Sequence, residues 1–92
     1  MKYVITSIYY TKTGDIVFSS PDDIEVFDHF YTALRWILIE RNLARKYGAE
    51  IILNWNKGRC PYGREWLLEM TENHGSSHSV ITLSRINNNG NI

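Results

Sequence analysis

Two groups of side chains in this sequence have types and spacings that suit metal or nucleophile chemistry. His74 and His78 lie four residues apart, and with Cys60 they make three candidate zinc ligands. A structural zinc site uses four ligands, so this set is one short. Cys60 also lies near Arg59 and Arg64, and positive charge favours the nucleophilic thiolate. We nevertheless expect an unreactive cysteine and a solvated histidine turn, and predict no metal and no cofactor.

A third group is the carboxylate pair Glu65 and Glu69, which could in principle act as a general acid and base. In a strand, residues four apart share a face, and here we expect the solvent face. A nucleophilic Cys60 would also need a histidine base, which the sequence does not place. Phosphate-binding glycine loops, serine-hydrolase elbows and HExxH motifs do not occur. The sequence therefore predicts a protein that is not an enzyme.

Composition narrows the class of protein further. The chain has 92 residues, is 43% apolar and 13% aromatic, and carries ten Lys and Arg against ten Asp and Glu. It is too apolar for a disordered chain and too neutral for bulk capture of nucleic acid or anionic membrane. One cysteine allows no internal disulfide, which favours a reducing compartment. Residues 1–10 lack a signal-peptide pattern, and no apolar run reaches the ~18 residues of a membrane span. We predict a cytoplasmic protein with no membrane contact.

The pattern of the chain predicts the order ββαβββ. A hairpin, turning near Gly14, is followed by a long helix that starts with a Ser20 cap and Pro21 and stops at Gly48. The predicted strands are 2–10, 16–19, 50–56, 65–71 and 79–86, and the predicted helix is 21–47. One helix on a five-stranded antiparallel sheet makes an α+β two-layer sandwich. We expect one domain over residues 1–86 and a disordered polar tail at 87–92.

The predicted helix carries two apolar stripes rather than one. The first should face the sheet and consists of Phe27, Phe30, Leu34, Ile37 and Leu38, widened by Tyr31 and Ala33. The second lies on another side and consists of Trp36, Ile39, Leu43 and Tyr47. Three interpretations stay open: the 57–64 loop wraps over the second stripe with Tyr62, a homodimer buries it, or a different protein docks on it.

A basic and aromatic segment follows the third predicted strand. Residues 57–64, predicted as a loop, contain three basic residues around Tyr62, and Trp55 and Trp66 flank them. Aromatic rings can stack on bases while Arg and Lys contact phosphates, so nucleic-acid contact is an alternative to protein contact. Eight residues are predicted to contact a partner: Arg35, Trp36, Arg45, Tyr47, Lys57, Arg59, Tyr62 and Arg64.

In overall character the chain resembles small phage-encoded inhibitor proteins, including anti-CRISPR proteins. It is a short single domain, rich in Tyr, Asn and Ile, without catalytic or metal signatures. The resemblance covers the whole chain but no motif, and no functional residue is carried over from it. It implies steric action in a host cytoplasm, by covering a surface of a host machine. The neutral charge departs from the strongly acidic surfaces of inhibitors that mimic DNA.

The sequence thus leads to two hypotheses of function. The first is a non-catalytic protein-binding inhibitor that sterically blocks a host macromolecular complex, for example a nucleic-acid-handling defence complex such as a CRISPR effector. The alternative is a small nucleic-acid-binding module that uses the 57–64 segment.

Overall fold

A computed structural model describes residues 1–11, 16–18, 24–59 and 64–86, which form an antiparallel sheet with one helix packed against it. In chain order the elements are β1 (Lys2–Thr11), β2 (Ile16–Phe18), β3 (Ile24–Phe27), α1 (Phe30–Lys46), β4 (Glu50–Arg59), β5 (Arg64–Asn73) and β6 (Ser77–Ile86). The strand order is β2-β1-β6-β5-β4, and β3 also pairs with β1. The predicted α+β two-layer fold is confirmed. The predicted hairpin turn around Gly14 and the predicted tail 87–92 lie outside the described residues.

The core lies where α1 crosses the middle of the sheet. Ile5, Leu83 and Leu68 are directly opposite one another on β1, β6 and β5, and all three are fully buried. Ala33 and Ile37 of α1 pack into the same cluster and are fully buried too. Because alanine has almost no side chain, the helix can approach the sheet closely at this point.

The predicted start of the helix is wrong. Ile24–Phe27 form a strand whose register runs from Tyr3↔Phe27 to Thr6↔Ile24 on β1. β6 pairs with β1 along its whole length, so β2 and β3 divide the opposite edge of β1 between them. Main-chain hydrogen bonds to that edge satisfy the groups that a helix would otherwise pair internally. The helix therefore begins only at Phe30, after His29, which makes no side-chain cap hydrogen bond.

The predicted end of the helix at Gly48 is confirmed. Gly48 has φ +87°, its N–H donates to the Arg45 carbonyl at 3.0 Å, and the Ala49 N–H donates to the Ala44 carbonyl at 3.0 Å. These two bonds form a Schellman motif, which satisfies carbonyls that the helix leaves free. Arg45 and Lys46 lie in the last turn, where the helix dipole favours positive charge.

A bulge in β5 changes which face each side chain occupies. Trp66 is opposite Ser84 while Leu68 is opposite Leu83, so Leu67 is an extra residue. Ser84 and Leu83 are adjacent on β6 and point to opposite faces, and so Trp66 lies on the face away from the helix. Trp66 therefore does not share a face with Leu68 and Met70, and it is 38% exposed.

The same bulge separates the predicted carboxylate pair. Glu65 is opposite Arg85, on the helix side of the sheet, and forms an ion pair with it. Glu69 is opposite Thr82, on the other side. The hydrogen bond that Arg85 donates to Glu65 raises the pKa of the Arg85 guanidinium above its usual value. The expectation that Glu65 and Glu69 share one solvent face is therefore wrong.

Replacing Ile37 by Ala should lower the free energy of unfolding by about 2–4 kcal/mol, because the side chain is fully buried against the sheet. Ile39→Ala is the matched control: this residue is 58% exposed on the same helix, and the loss should stay within ~0.5 kcal/mol. Urea unfolding followed by tryptophan fluorescence measures both. Equal losses in the two variants would contradict the packing described.

Candidate functional site

One side of α1 leaves large apolar side chains uncovered. Ile39 is 58% exposed, Leu43 48% and Tyr47 75%. We call these three residues the exposed helix flank; their spacing of four places them in one row along the helix. Trp36 continues the row but is half-buried against the core. The described part of the chain leaves Ile39, Leu43 and Tyr47 exposed. The predicted wrapping of the 57–64 loop over this stripe with Tyr62 falls on residues 60–63, which lie outside the described residues.

The two predicted contact arginines of the helix lie on different sides of it. Arg35 and Arg45 are both exposed on α1. Arg35 is four residues before Ile39 and continues its row, whereas Arg45 is two residues from Leu43 and lies on another side of the helix. Tyr31, predicted to widen the buried stripe, instead points away from the sheet and is 80% exposed. Four of the eight predicted contact residues, Arg35, Trp36, Arg45 and Tyr47, are thus on one helix.

The other predicted contact residues lie elsewhere. Lys57 and Arg59 are in the last part of β4, and Arg64 begins β5, so the predicted 57–64 loop is wrong at both of its ends. Tyr62 lies outside the described residues. β4 starts at Glu50, close after the helix end, and its ten residues span about 30 Å. The basic ends of β4 and β5 are therefore at the opposite end of the sheet from Arg45 and Tyr47, and the eight residues do not form one patch.

The remaining candidates for chemistry are dispersed. His74 is exposed in the turn between β5 and β6. His78 stacks on Tyr10, with ring centroids 4.9 Å apart. Cys60 lies outside the described residues. Within 1–11, 16–18, 24–59 and 64–86, no three His, Cys, Asp or Glu side chains come together in a way that could hold a metal ion.

Sequence reasoning missed a buried pair of carboxyl groups between the helix and the sheet. Glu72 of β5 is only 3% exposed, and it faces Glu40 of α1. The two residues line a cavity of about 170 Å³ together with Ser7, Tyr9, Trp36, Ser79 and Ile81. Among the described residues, one carboxyl oxygen of Glu72, Oε1, and the Ser79 hydroxyl have no hydrogen-bond partner.

Burial controls the protonation of this pair. It raises the pKa of Glu72 to about 8, and the hydrogen bond and charge of Glu40 act in the same direction. Two carboxyl groups can share a hydrogen bond only when one holds a proton. Near neutral pH the pair therefore carries one proton.

A signal for Glu72 was present in the sequence. It continues the inward alternation of Leu68 and Met70 by one step, but the predicted strand ended at Thr71. Glu40 lies beside Ile37 and Ala44 at the edge of the buried side of the helix and is half-buried. A longer predicted strand would have placed the Glu72 carboxyl group inside.

A larger cavity of about 480 Å³ lies at the end of the helix. It is lined by Tyr47, Gly48, Glu50, Asn73, His74 and Gly75. Two turns shape it: the Schellman motif at Gly48 and the β5–β6 turn, where Gly75 has φ +83°. Glu72 and Asn73 are neighbours in the chain, so the two cavities open on the same end of the molecule.

No family model, curated protein sequence or solved structure matches this chain. In the part of the chain that the structure describes, no helix has the length and apolar character needed to span a membrane.

The free energy of unfolding should fall as pH rises from about 5 to 8. Glu72 has a folded-state pKa of about 8, above its ordinary 4.5. Its stabilising effect is therefore complete below pH 4.5 and is lost as pH rises through 8, with a loss on the order of 3 kcal/mol. Urea unfolding at several pH values measures the slope.

Glu72→Gln should flatten this slope, because the amide does not titrate. Glu69→Gln, on the same strand but the opposite face, is the matched control and should keep the slope. A slope that Glu72→Gln leaves unchanged would show that the carboxyl pair does not control it.

Proposed function

We propose that this protein is a non-catalytic binding protein that attaches to a protein partner through the exposed helix flank, with Arg35 beside it. Its action is steric: it covers a surface of a host macromolecular complex and inhibits it. In keeping with the resemblance to phage-encoded inhibitors, the partner is a nucleic-acid-handling defence complex such as a CRISPR effector. The observation that supports the proposal is the exposure of Ile39, Leu43 and Tyr47 on a helix whose other side already covers the sheet.

The exposed helix flank has no role in folding that explains its composition. A helix that covers one sheet needs a single apolar stripe, and its outer side is normally polar. Ile and Tyr are also weaker helix formers than Lys, Glu or Ala. Burial of these side chains against a partner stabilises a complex by about 25 cal/mol for each Å² of apolar surface. Binding to a partner therefore explains why apolar residues lie on this side of the helix.

The open face of the sheet also exposes apolar residues, but strand formation explains them. Val26 is 58% exposed and Ile52 53%, and both are β-branched. Such residues favour strands even where they are not buried, because they pack against cross-strand neighbours. The helix flank has no equivalent explanation, and so we place the contact there.

The residue types around the flank fit a protein contact. Tyr and Arg are enriched at the few positions that supply most of the binding energy in interfaces. Tyr47 is 75% exposed, and Arg35 is exposed in the same row. An acidic residue of a partner facing Arg35 would add specificity more than affinity.

The proposal is tested by capture of partners from host-cell lysate on the immobilised protein. Leu43→Glu should weaken binding of the captured protein at least tenfold, because it places a charge in the contact. Ile52→Glu is the matched control, since Ile52 is similarly exposed but lies on the open face of the sheet. It should bind like the wild type.

Two results would contradict the proposal. One is capture of the same protein at equal strength by Leu43→Glu. The other is a doubled mass in light scattering of the purified wild type that Leu43→Glu returns to a monomer, because the occupant would then be a second copy of this chain.

Exposed tryptophans favour nucleic acid as a second candidate function. Trp55 is 50% exposed and Trp66 38%, and they are next to the segment that contains Lys57, Arg59 and Arg64. Aromatic rings beside basic residues can stack on unpaired bases.

Binding to labelled single-stranded RNA and DNA at 50 and 200 mM salt tests this second function. Phosphate contacts should weaken steeply with salt, and Trp55→Ala should cost about 1–3 kcal/mol of binding energy if the ring stacks on a base. Tyr31→Ala, on the helix, is the matched aromatic control and should bind normally. A chain that binds neither nucleic acid at 50 mM salt does not have this function.

A further inference from the structure

We infer that the cavity between Glu40 and Glu72 is a binding site for a primary ammonium group, such as that of a small alkylamine or a lysine side chain. The two carboxyl groups come from different elements, α1 and β5, and line one cavity of about 170 Å³. The inference stands apart from the proposed function, because it concerns a cavity rather than the exposed helix flank.

The cavity offers hydrogen-bond acceptors that the protein does not use. Glu72 Oε1 and Ser79 Oγ have no hydrogen-bond partner in the described part of the chain, although the two residues are only 3% and 2% exposed. A buried polar atom without a partner is costly, by about 1–3 kcal/mol. None of the described residues that line the cavity is basic. The missing component is therefore a donor.

An ammonium group fits these acceptors in number and charge. It carries three donors and no acceptor. Glu40, Glu72 and Ser79 can each receive one N–H when both carboxyl groups are ionised, so the proton that they share leaves to solvent when the ammonium group binds. The site thus satisfies every proton of the ligand without a water molecule.

The walls of the cavity favour an organic cation over a metal ion. Trp36 and Tyr9 line it, and aromatic faces attract ammonium ions. Ile81 also lines it and can contact the methylene groups of an alkyl chain. Ca²⁺ is held mainly by carboxylate and carbonyl oxygens, and among the described residues no third acidic side chain joins Glu40 and Glu72 in a group that could hold a metal ion. A volume of about 170 Å³ equals five or six molecules of liquid water, enough for an ammonium head and a short chain.

Binding should release the proton that the carboxyl pair shares. The titratable and charged groups among the described residues that line the cavity are Tyr9 of β1, Glu40 of α1 and Glu72 of β5, while β6 contributes the uncharged Ser79. Burial raises the pKa of Glu72 to about 8, so a proton competes with the ammonium group below that pH. Affinity should therefore rise by up to tenfold for each pH unit between pH 6 and 8.

The test is titration of the whole chain with n-butylammonium, followed by NMR amide shifts at pH 6, 7 and 8.5. We expect saturable shifts around Glu40, Glu72 and Ser79, at least tenfold weaker binding at pH 6 than at pH 8.5, and at least tenfold weaker binding by Glu72→Gln. Glu69→Gln should bind as the wild type does. The NMR spectrum also shows that each variant is folded.

Further ligands separate the possible sources and mechanisms. A short lysine peptide shows whether a protein side chain can enter the cavity, and the norleucine peptide, which lacks the ammonium group, is its control. Binding of the lysine peptide supports the site, and so does binding of n-butylammonium without binding of the peptide. Tetramethylammonium has no N–H, and should bind at least tenfold more weakly. The inference is overturned if n-butylammonium produces no saturable shift at pH 8.5, if Glu72→Gln keeps wild-type affinity, or if tetramethylammonium binds equally well.

Discussion

The structure depends on the packing of α1 across the middle of the sheet. Ala33 and Ile37 rest on a row in which Ile5, Leu83 and Leu68 are aligned across three strands. Neither the helix nor the sheet can bury its apolar side alone, and this contact buries both. It also determines which residues of the helix remain outside. With Ile37 fixed inward, Ile39 and Leu43 must lie on the flank, and Glu40 must lie at the boundary between helix and sheet.

The same contact explains where charges are placed. Arg85 and Glu65 face the helix side at one end of the sheet and form an ion pair there, and Lys2 pairs with Asp28 where β3 leads into α1. The hydrogen bond from Lys2 lowers the pKa of the Asp28 carboxyl. At the opposite end of the sheet, Glu72 reaches the helix and meets Glu40, a group of the same charge. Ion pairs thus balance the charges at one end of the sheet, and a proton shared by two carboxyl groups reduces the charge at the other end.

Local signals predicted much of the fold but little of the candidate site. The Gly48 helix stop and the long strands follow from turn residues and alternation, which act within a few positions. Ile24–Phe27 could not be predicted in this way, because a free edge of β1 outweighs the helix-start signal before it. The bulge at Leu67 moves Trp66 to the other face of the sheet, and no single residue type in the sequence predicts this bulge. The exposed helix flank was recognised as a second apolar stripe, whereas Glu72 was missed because the predicted strand was two residues too short.

The buried carboxyl pair is difficult to explain by folding alone. Burying carboxyl groups costs free energy unless their hydrogen bonds are satisfied, and Glu72 Oε1 is not. An apolar residue at position 72 would extend the inward row of Leu68 and Met70 and would stabilise the fold. Small domains bury a smaller fraction of their surface and therefore have a small free energy of unfolding. A buried carboxyl group lowers that free energy, whereas the apolar residues around it raise it. A ligand that donates hydrogen bonds to these oxygens would explain why two carboxyl groups occur at this position, which folding alone does not explain.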